Sequence, residues 1–240
     1  MQQKIMKFFP LIAALFSVMA SSAHAEAEAK RPTVVELFTA QGCPSCPRAD
    51  AMLGDIARYP NFLPLSFHVT YFDTEGWKDP YARQENNLRQ QRYLAAVGVK
   101  EAFTPHMVVD GTISTAGANA QSVAQAISEA QAVAVTIPLS IQPSDSQSGL
   151  KVKLGDEQTP IPLDSTLYEV HFNQRVFTPI KAGNNEGLTT ENVNNVISFM
   201  QVPISAEYFV PMARMAGDGI AYLLHNKEGR VIGAAYYLRP

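Results

Sequence analysis

The run Thr33-Val34-Val35-Glu36-Leu37-Phe38-Thr39-Ala40-Gln41-Gly42-Cys43-Pro44-Ser45-Cys46 decides the reading of this chain. Its first six residues are β-branched or apolar apart from Glu36, follow Pro32 and give way to Ala40-Gln41-Gly42. They predict a buried strand with one polar interruption. The last four residues hold Cys43 and Cys46, the 2 cysteines of the whole chain, in a C-x-x-C pair. With no third cysteine, the pair is not part of a framework of structural staples. Three chemistries stay open to it: a closed disulfide, exchange with a partner's sulfurs, or a grip on a soft metal ion.

Outward from this run, Ala49, Met52, Leu53, Ile56 and Ala57 recur at helical spacing and predict an amphipathic helix ending near Tyr59-Pro60. Leu63 to Tyr71 reads as a second strand, so strand, helix and strand form a βαβ unit with parallel pairing. Phe72 to Pro80 is a loop, and Tyr81 to Val97 is a polar helix closed by Gly98. Met107-Val108-Val109 is a third strand. Asp110-Gly111 is a two-residue hairpin signal, Thr112 to Thr115 returns as a fourth strand, and Asn119 to Ala134 makes a last helix. The predicted order for residues 32–134 is β-α-β-α-β-β-α.

Beyond Val135 prolines punctuate short β-prone runs, with alternation in Leu150 to Leu154, Leu167 to Phe172, Ile220 to Leu224 and Val231 to Tyr237. Residues 135–240 therefore read as a second, mainly antiparallel β domain, with polar turns at Ser144 to Gly149 and Gly183 to Gly187.

Residues 1–25 have the anatomy of a secretory signal peptide: Lys4 and Lys7, an apolar stretch from Phe8 to Ala20, and the small-x-small pattern Ala23-His24-Ala25. The expected compartment is the periplasm or the exterior, which is oxidising and suits a disulfide. The apolar stretch is shorter than the roughly 20 residues a membrane span needs, so no stable span is expected after cleavage. The formal net charge is −3, and −5 without Lys4 and Lys7, with no basic stripe, which argues against a nucleic-acid partner. The roughly 215 residues that remain are enough for a proper core without staples.

A strand running into C-x-x-C at the mouth of a helix suits thiol chemistry, because the unpaired N–H groups of a helix start favour a thiolate. Two registers fit the letters: Cys43 as cap with Pro44 first in the helix, or Cys46 as cap with Pro47 first. In either, Cys43 is the outer nucleophile and Cys46 the resolving thiol, acting on a protein thiol or disulfide substrate. The alternative from another class is copper(I) capture by the same pair with a histidine, His106 first among His68, His106, His171 and His225. A third is a non-enzymatic interaction module. Neither a cofactor nor a resident metal is called for.

The element order, the C-x-x-C after the first strand and the X-Pro before the third strand resemble thioredoxin-like proteins. The resemblance implies that Thr104-Pro105 is a cis peptide lying against the disulfide, with Thr104 backbone groups free to pair with a substrate strand. It also implies a buried acid on the strand before the cysteines. Glu36 sits one residue further out than that position and is the candidate general base for Cys46; the alternative is a solvated acid facing outward, since alternation does not say which face is buried. Trp77 and Asp73 are candidates to line a substrate groove. A finer resemblance is to the domain-of-unknown-function 1223 family, secreted thioredoxin-like proteins without a settled activity. It is carried by Val34 to Asp50, by His68-Val69-Thr70-Tyr71-Phe72-Asp73 with Gly76-Trp77-Lys78-Asp79-Pro80, by Thr104 to Gly111, and by the tail stretches Asn184 to Asn195 and Val231 to Ala235. Tyr71-Phe72-Asp73 stands where the family tends to carry Trp, and Asn184-Asn185-Glu186 departs from a Gly-Glu-Asn-like pattern.

Overall fold

Alternation and helical spacing place the elements of the first half nearly where they are found. The computed structural model describes residues 31–73, 76–133 and 136–240; the predicted signal peptide, 1–25, lies outside the described residues. In chain order come β1 (Thr33–Thr39), α1 (Cys46–Ile56), β2 (Phe62–His68), α2 (Gln84–Ala96), β3 (His106–Val109), β4 (Ile113–Ala116) and α3 (Ala120–Gln131). α3 is capped by Asn119, whose Oδ1 accepts from the Ser122 amide at 3.0 Å. β2 stops at His68 rather than Tyr71 because the start of α2 takes its backbone groups. Arg83 N and Asn86 Nδ2 both donate to the His68 carbonyl, and Thr70 N donates to Asn87 Oδ1.

β1 lies between β2, parallel to it, and β3, antiparallel to it, with β4 outside β3. The β3–β4 hairpin turns through Asp110 (φ 45°) and Gly111 (φ 75°), the two left-handed residues that an Asp-Gly turn supplies. A Cβ on Gly111 would meet the Gly229 carbonyl oxygen, so glycine is also required by the chain packed above.

The second half adds β5 (Leu139–Pro143), β6 (Gly149–Leu154), β7 (Thr166–Pro179), β8 (Thr189–Val202), β9 (Glu207–Pro211), β10 (Gly219–His225) and β11 (Val231–Leu238). Its pairings within itself are antiparallel, as the alternation predicts. Its separateness is not what the pairing gives. β8 lies beside β2, in parallel, through Ser66 and Asn195. One eight-stranded sheet results, in the order β11-β10-β7-β8-β2-β1-β3-β4, and β5-β6-β9 form a smaller sheet. The division of the chain near residue 134 is thus not a division of the large sheet. The protein is mixed α/β, with a large central sheet and few helices among the described residues.

The core follows the sheet. On one face of β1 and β3, Val35, Leu37, Met107 and Val109 pack on Ala49 and Leu53 of α1 and on Val123, Ala126 and Ala130 of α3. On the other, Phe38, Phe67, Val170, Phe172, Val196 and Leu223 form a cluster that crosses from β1 to β10. Each such side chain contributes about 1.5–3 kcal/mol by burial.

Within that second face lies a buried ion pair. Glu36 of β1 accepts from Arg89 Nε at 2.5 Å, Arg89 Nη2 at 2.7 Å and the Tyr93 hydroxyl at 2.6 Å. The guanidinium lies 3.8 Å from the ring centre of Phe199 on β8 and 5.5 Å from that of Tyr168 on β7. One residue of α2 therefore ties β1 to the strands of the second half. Glu36→Ala, which leaves Arg89 buried without its partner, is expected to lower the unfolding free energy by about 3–5 kcal/mol. Replacing both, Glu36→Leu with Arg89→Met, should recover most of that loss. Urea unfolding of the three chains measures it.

Candidate active site at the C-x-x-C turn

β1 delivers the chain to Ala40, and the next residues turn back into α1: Cys43 N donates to the Ala40 carbonyl at 3.1 Å and Cys46 N to the Cys43 carbonyl at 3.3 Å. The helix starts at Cys46 with Ser45 as cap and Pro47 second. Neither register read from the sequence is the observed one; the start lies one residue before that of the second. Pro47 still falls where its missing N–H costs nothing. Cys43 and Cys46 are joined as a disulfide. Ser45 Oγ lies 3.6 Å from Cys43 Sγ.

Both cysteines are buried, Cys43 at 1% and Cys46 at 0% exposure, while Pro44 and Ser45 between them are exposed. The cover is built by two loops. Phe72 packs on Gly42 so closely that a Cβ there would stand 3.0 Å from the Phe72 carbonyl oxygen. From the other side comes the turn between β7 and β8. Asn185 Nδ2 donates to the Gln41 carbonyl at 2.7 Å and to the Cys43 carbonyl at 2.8 Å, and Asn184 Nδ2 donates to the Gly42 carbonyl at 3.1 Å.

Gln41 anchors the turn in other directions. Its amide N–H donates to Asp79 Oδ2 at 2.9 Å, and its side-chain oxygen accepts from Trp77 Nε1 at 2.8 Å. Trp77 thus stands beside the C-x-x-C turn. Asp73 supports the same loop by accepting from the Asp79 amide at 3.1 Å. The Thr104-Pro105 peptide is cis. Pro105 is buried, its carbonyl accepts from Gly117 N at 2.9 Å, and a Cβ on Gly117 would touch Pro105, Leu37 and Ala49, so the proline packs at the α1 side of the sheet.

Glu36 is buried, which alternation had left open, but it is committed elsewhere. Both carboxylate oxygens are held by Arg89 and Tyr93 in the core on the α2 side of β1, so proton transfer to Cys46 is not the employment this geometry gives it. A different acid stands behind the cysteines. Asp50 is one turn after Cys46 on α1 and shares its buried face. Thr39 and Asn192 lie against its carboxylate, and His68 and Asp79 supply the nearest charges. Asp50 Oδ1, Thr39 Oγ1, His68 Nε2 and both amide atoms of Asn192 are buried without a hydrogen-bond partner among the described residues. Burial pushes the Asp50 carboxyl up to about 7. His68 donates through Nδ1 to Asp79 Oδ2 at 2.7 Å; although burial raises Asp79, His68 and the amides of Gln41 and Tyr81 hold it below the usual carboxylate range. The sequence carried a signal for Asp50: an acid in line with the apolar stripe of α1.

The histidines named for a metal are dispersed over internal bonds. His106 Nε2 lies 2.7 Å from Ser114 Oγ, His171 Nε2 2.9 Å from Glu169, and His225 Nδ1 2.9 Å from the Gly229 carbonyl. Burial pushes His106 and His225 down to about 4. Among the described residues no group of three His, Cys, Asp or Glu side chains is placed to hold a metal ion, and no helix is long and apolar enough to cross a membrane.

The family described as a protein of unknown function, DUF1223, matches residues 34–217. The chain belongs to that family. A DUF1223 assignment spans the C-x-x-C turn, the loop of Trp77, the cis peptide and the β7–β8 turn together. No curated protein matches the chain. A crystal structure of an Agrobacterium tumefaciens protein from a structural-genomics programme is similar, with 23% identity and a TM-score of 0.72 over 87% of this chain and 94% of that one. At that identity the likeness speaks for the fold alone.

The raised Asp50 sets a pH dependence with a definite sign. An acid whose folded-state value lies above its unfolded one holds its proton in the native state and loses it in the unfolded state between about pH 4 and 7, so stability falls as pH rises through that window. Asp50→Asn has no proton to lose. Its unfolding free energy from urea titration is expected to match the parent near pH 4 and exceed it at pH 8, by about 1–4 kcal/mol. Equal differences at both pH values would remove Asp50 from this account.

Proposed function

We propose that this chain is a thioredoxin-like thiol–disulfide exchange protein of the periplasm or exterior, acting on a protein partner. The observation that carries the reading is the disulfide at the first turn of α1, formed by the chain's only two cysteines. The β-α-β-α-β-β-α order and the cis Thr104-Pro105 peptide support it, as does the acid one helical turn behind Cys46.

A partner thiolate attacks Cys43 Sγ. The Cys43–Cys46 bond breaks, and Cys46 leaves as a thiolate that takes a proton from the neutral Asp50 carboxyl. A second partner thiolate then attacks the partner's own sulfur in the mixed disulfide, forms the partner's disulfide and releases Cys43 as a thiolate. Two electrons pass to the chain. The reverse sequence reduces a partner disulfide, with Asp50 as the base for Cys46. Thr104, Pro105 and Trp77 border the groove in which the partner lies.

Burial of both sulfurs favours a second reading, in which the disulfide is a permanent staple of the β1–α1 turn and the protein acts as an interaction module. The copper(I) reading requires the reduced pair, since a disulfide offers no thiolate.

Cys46→Ser distinguishes the two principal readings. In the full chain expressed with its native compartment's proteins, it is expected to accumulate as a mixed disulfide on Cys43, seen as reducible adducts on non-reducing gels and absent from Cys43→Ser. The parent chain should also catalyse dithiol-driven reduction of insulin. A chain with neither adducts nor turnover is a stapled module.

A further inference from the structure

We infer that the tip of the β7–β8 hairpin, Ile180 to Leu188, is an internal stand-in for the protein substrate, and that the substrate is an extended, cysteine-bearing peptide segment that displaces it. This rests on the exchange reading above and names the substrate class for that site.

The carbonyls of Gln41, Gly42 and Cys43 are three consecutive acceptors beside the disulfide. Each accepts from an amide N–H of the hairpin tip, through Asn184 and Asn185. Asn185 is itself 5% exposed, so its amide is spent on this contact rather than on solvent. When the tip lifts, the row of carbonyls needs new donors, because unpaired acceptors next to an apolar site are costly. A peptide backbone supplies N–H donors along its length; a small thiol without amides does not.

The tip is built to lift as one piece. It is cross-tied within itself by Ile180 N to the Leu188 carbonyl at 2.8 Å, Gly187 N to the Ile180 carbonyl at 2.9 Å and Leu188 N to the Asn185 carbonyl at 3.1 Å. Within it, Gly183 and Gly187 flank Asn184, Asn185 and Glu186 in left-handed conformations. Breaking its hold on the C-x-x-C turn therefore leaves its own bonds intact. Beside the turn lies a ledge for the incoming segment. Tyr71 and Phe103, each 36% exposed, are linked through Gln90, which accepts from the Tyr71 hydroxyl at 3.2 Å and donates to the Phe103 carbonyl at 2.7 Å. Tyr71 also lies against Phe72, the residue that covers Gly42, with the two rings tilted at 41° and their centres 5.4 Å apart. Exposed aromatic side chains next to the cis Thr104-Pro105 peptide suit the apolar side chains of an unfolded or extended chain.

The test compares two thiols at equal thiolate concentration, 2-mercaptoethanol and an unstructured ten-residue peptide with one cysteine, as reductants of the Cys43–Cys46 disulfide under native conditions. With the parent chain the peptide is expected to react about ten-fold faster or more, and to saturate. Asn184→Ala with Asn185→Ala should raise the 2-mercaptoethanol rate by about 10–100-fold, the effect of losing two or three hydrogen bonds, and narrow the difference between the thiols. Asn185→Asp keeps the shape and replaces the donor with an acceptor, and should do the same. Circular dichroism and the emission of Trp77, the single tryptophan, whose Nε1 is bonded to Gln41, show that the variants are folded. Equal rates for both thiols, unchanged in the folded variants, overturn the stand-in role and leave exchange in place. A disulfide that no thiol reduces in any folded variant, but that is reduced in urea, overturns both.

Discussion

An arginine buried inside a protein must find a counter-charge, and Arg89 finds Glu36 across 53 positions of sequence. That pairing fixes more than two side chains. It sets α2 against the face of β1 opposite α1 and α3, and brings the guanidinium against the rings of Phe67, Tyr168 and Phe199. Burial pushes the Tyr93 phenol well above its usual value, so it stays a neutral donor to Glu36. The pair therefore sits at the junction of the first βαβ unit with β7 and β8. Either charge without the other would be an uncompensated buried ion, so β1, α2 and the second half of the chain settle together.

A second junction serves the site. Asp110 accepts at Oδ1 from Val34 N and is paired with Arg31, while its carbonyl accepts from Val231 N. The β3–β4 turn is thus tied to the start of both β1 and β11, and β1 enters the C-x-x-C turn from a fixed position. What stands around the cysteines then divides by face. Above the turn are amides from the β7–β8 hairpin and the Phe72 loop. Behind it are Asp50, Thr39, His68 and Asn192, polar groups held in an apolar interior. Low polarity sharpens every charge there, which is why a carboxyl one turn from Cys46 holds a proton near neutrality while Asp79, bonded to His68, does not.

The strands and helices of the first half were legible because their signals are local. Thr33 to Phe38, the apolar stripe of α1 and the Asp110-Gly111 turn each declare themselves within a few residues. β8, the longest-reaching element for the architecture, was not. Its run Thr189–Val202 is rich in asparagine, loses its alternation at Asn194 (φ 44°), and is buried in part through polar residues, Asn192 and Asn195. A strand that carries polar groups into the interior mimics a loop when read by hydropathy. Missing β8 meant missing its pairing with β2, and with it the single sheet. Glu36 shows the complementary limit: alternation left open whether it is buried or solvated, and named neither its face nor its partner.

By itself the sequence determined the C-x-x-C turn between a strand and a helix, the βαβ start, the antiparallel character of the second half and the family. The local elements rest on dihedral preferences and on periodicities of 2.0 and 3.6 residues, which neighbouring residues set among themselves, and the family rests on the motif stretches that resemble it. Only the tertiary structure decided that β2 and β8 join one sheet, that Arg89 rather than Cys46 is the partner of Glu36, that Asp50 faces the interior behind the disulfide, and that Asn185 closes over Cys43 from 142 positions away. The physical reason is the same in each case. A buried polar group takes whichever partner the packed chain brings to it, and the distance along the sequence carries no trace of that choice.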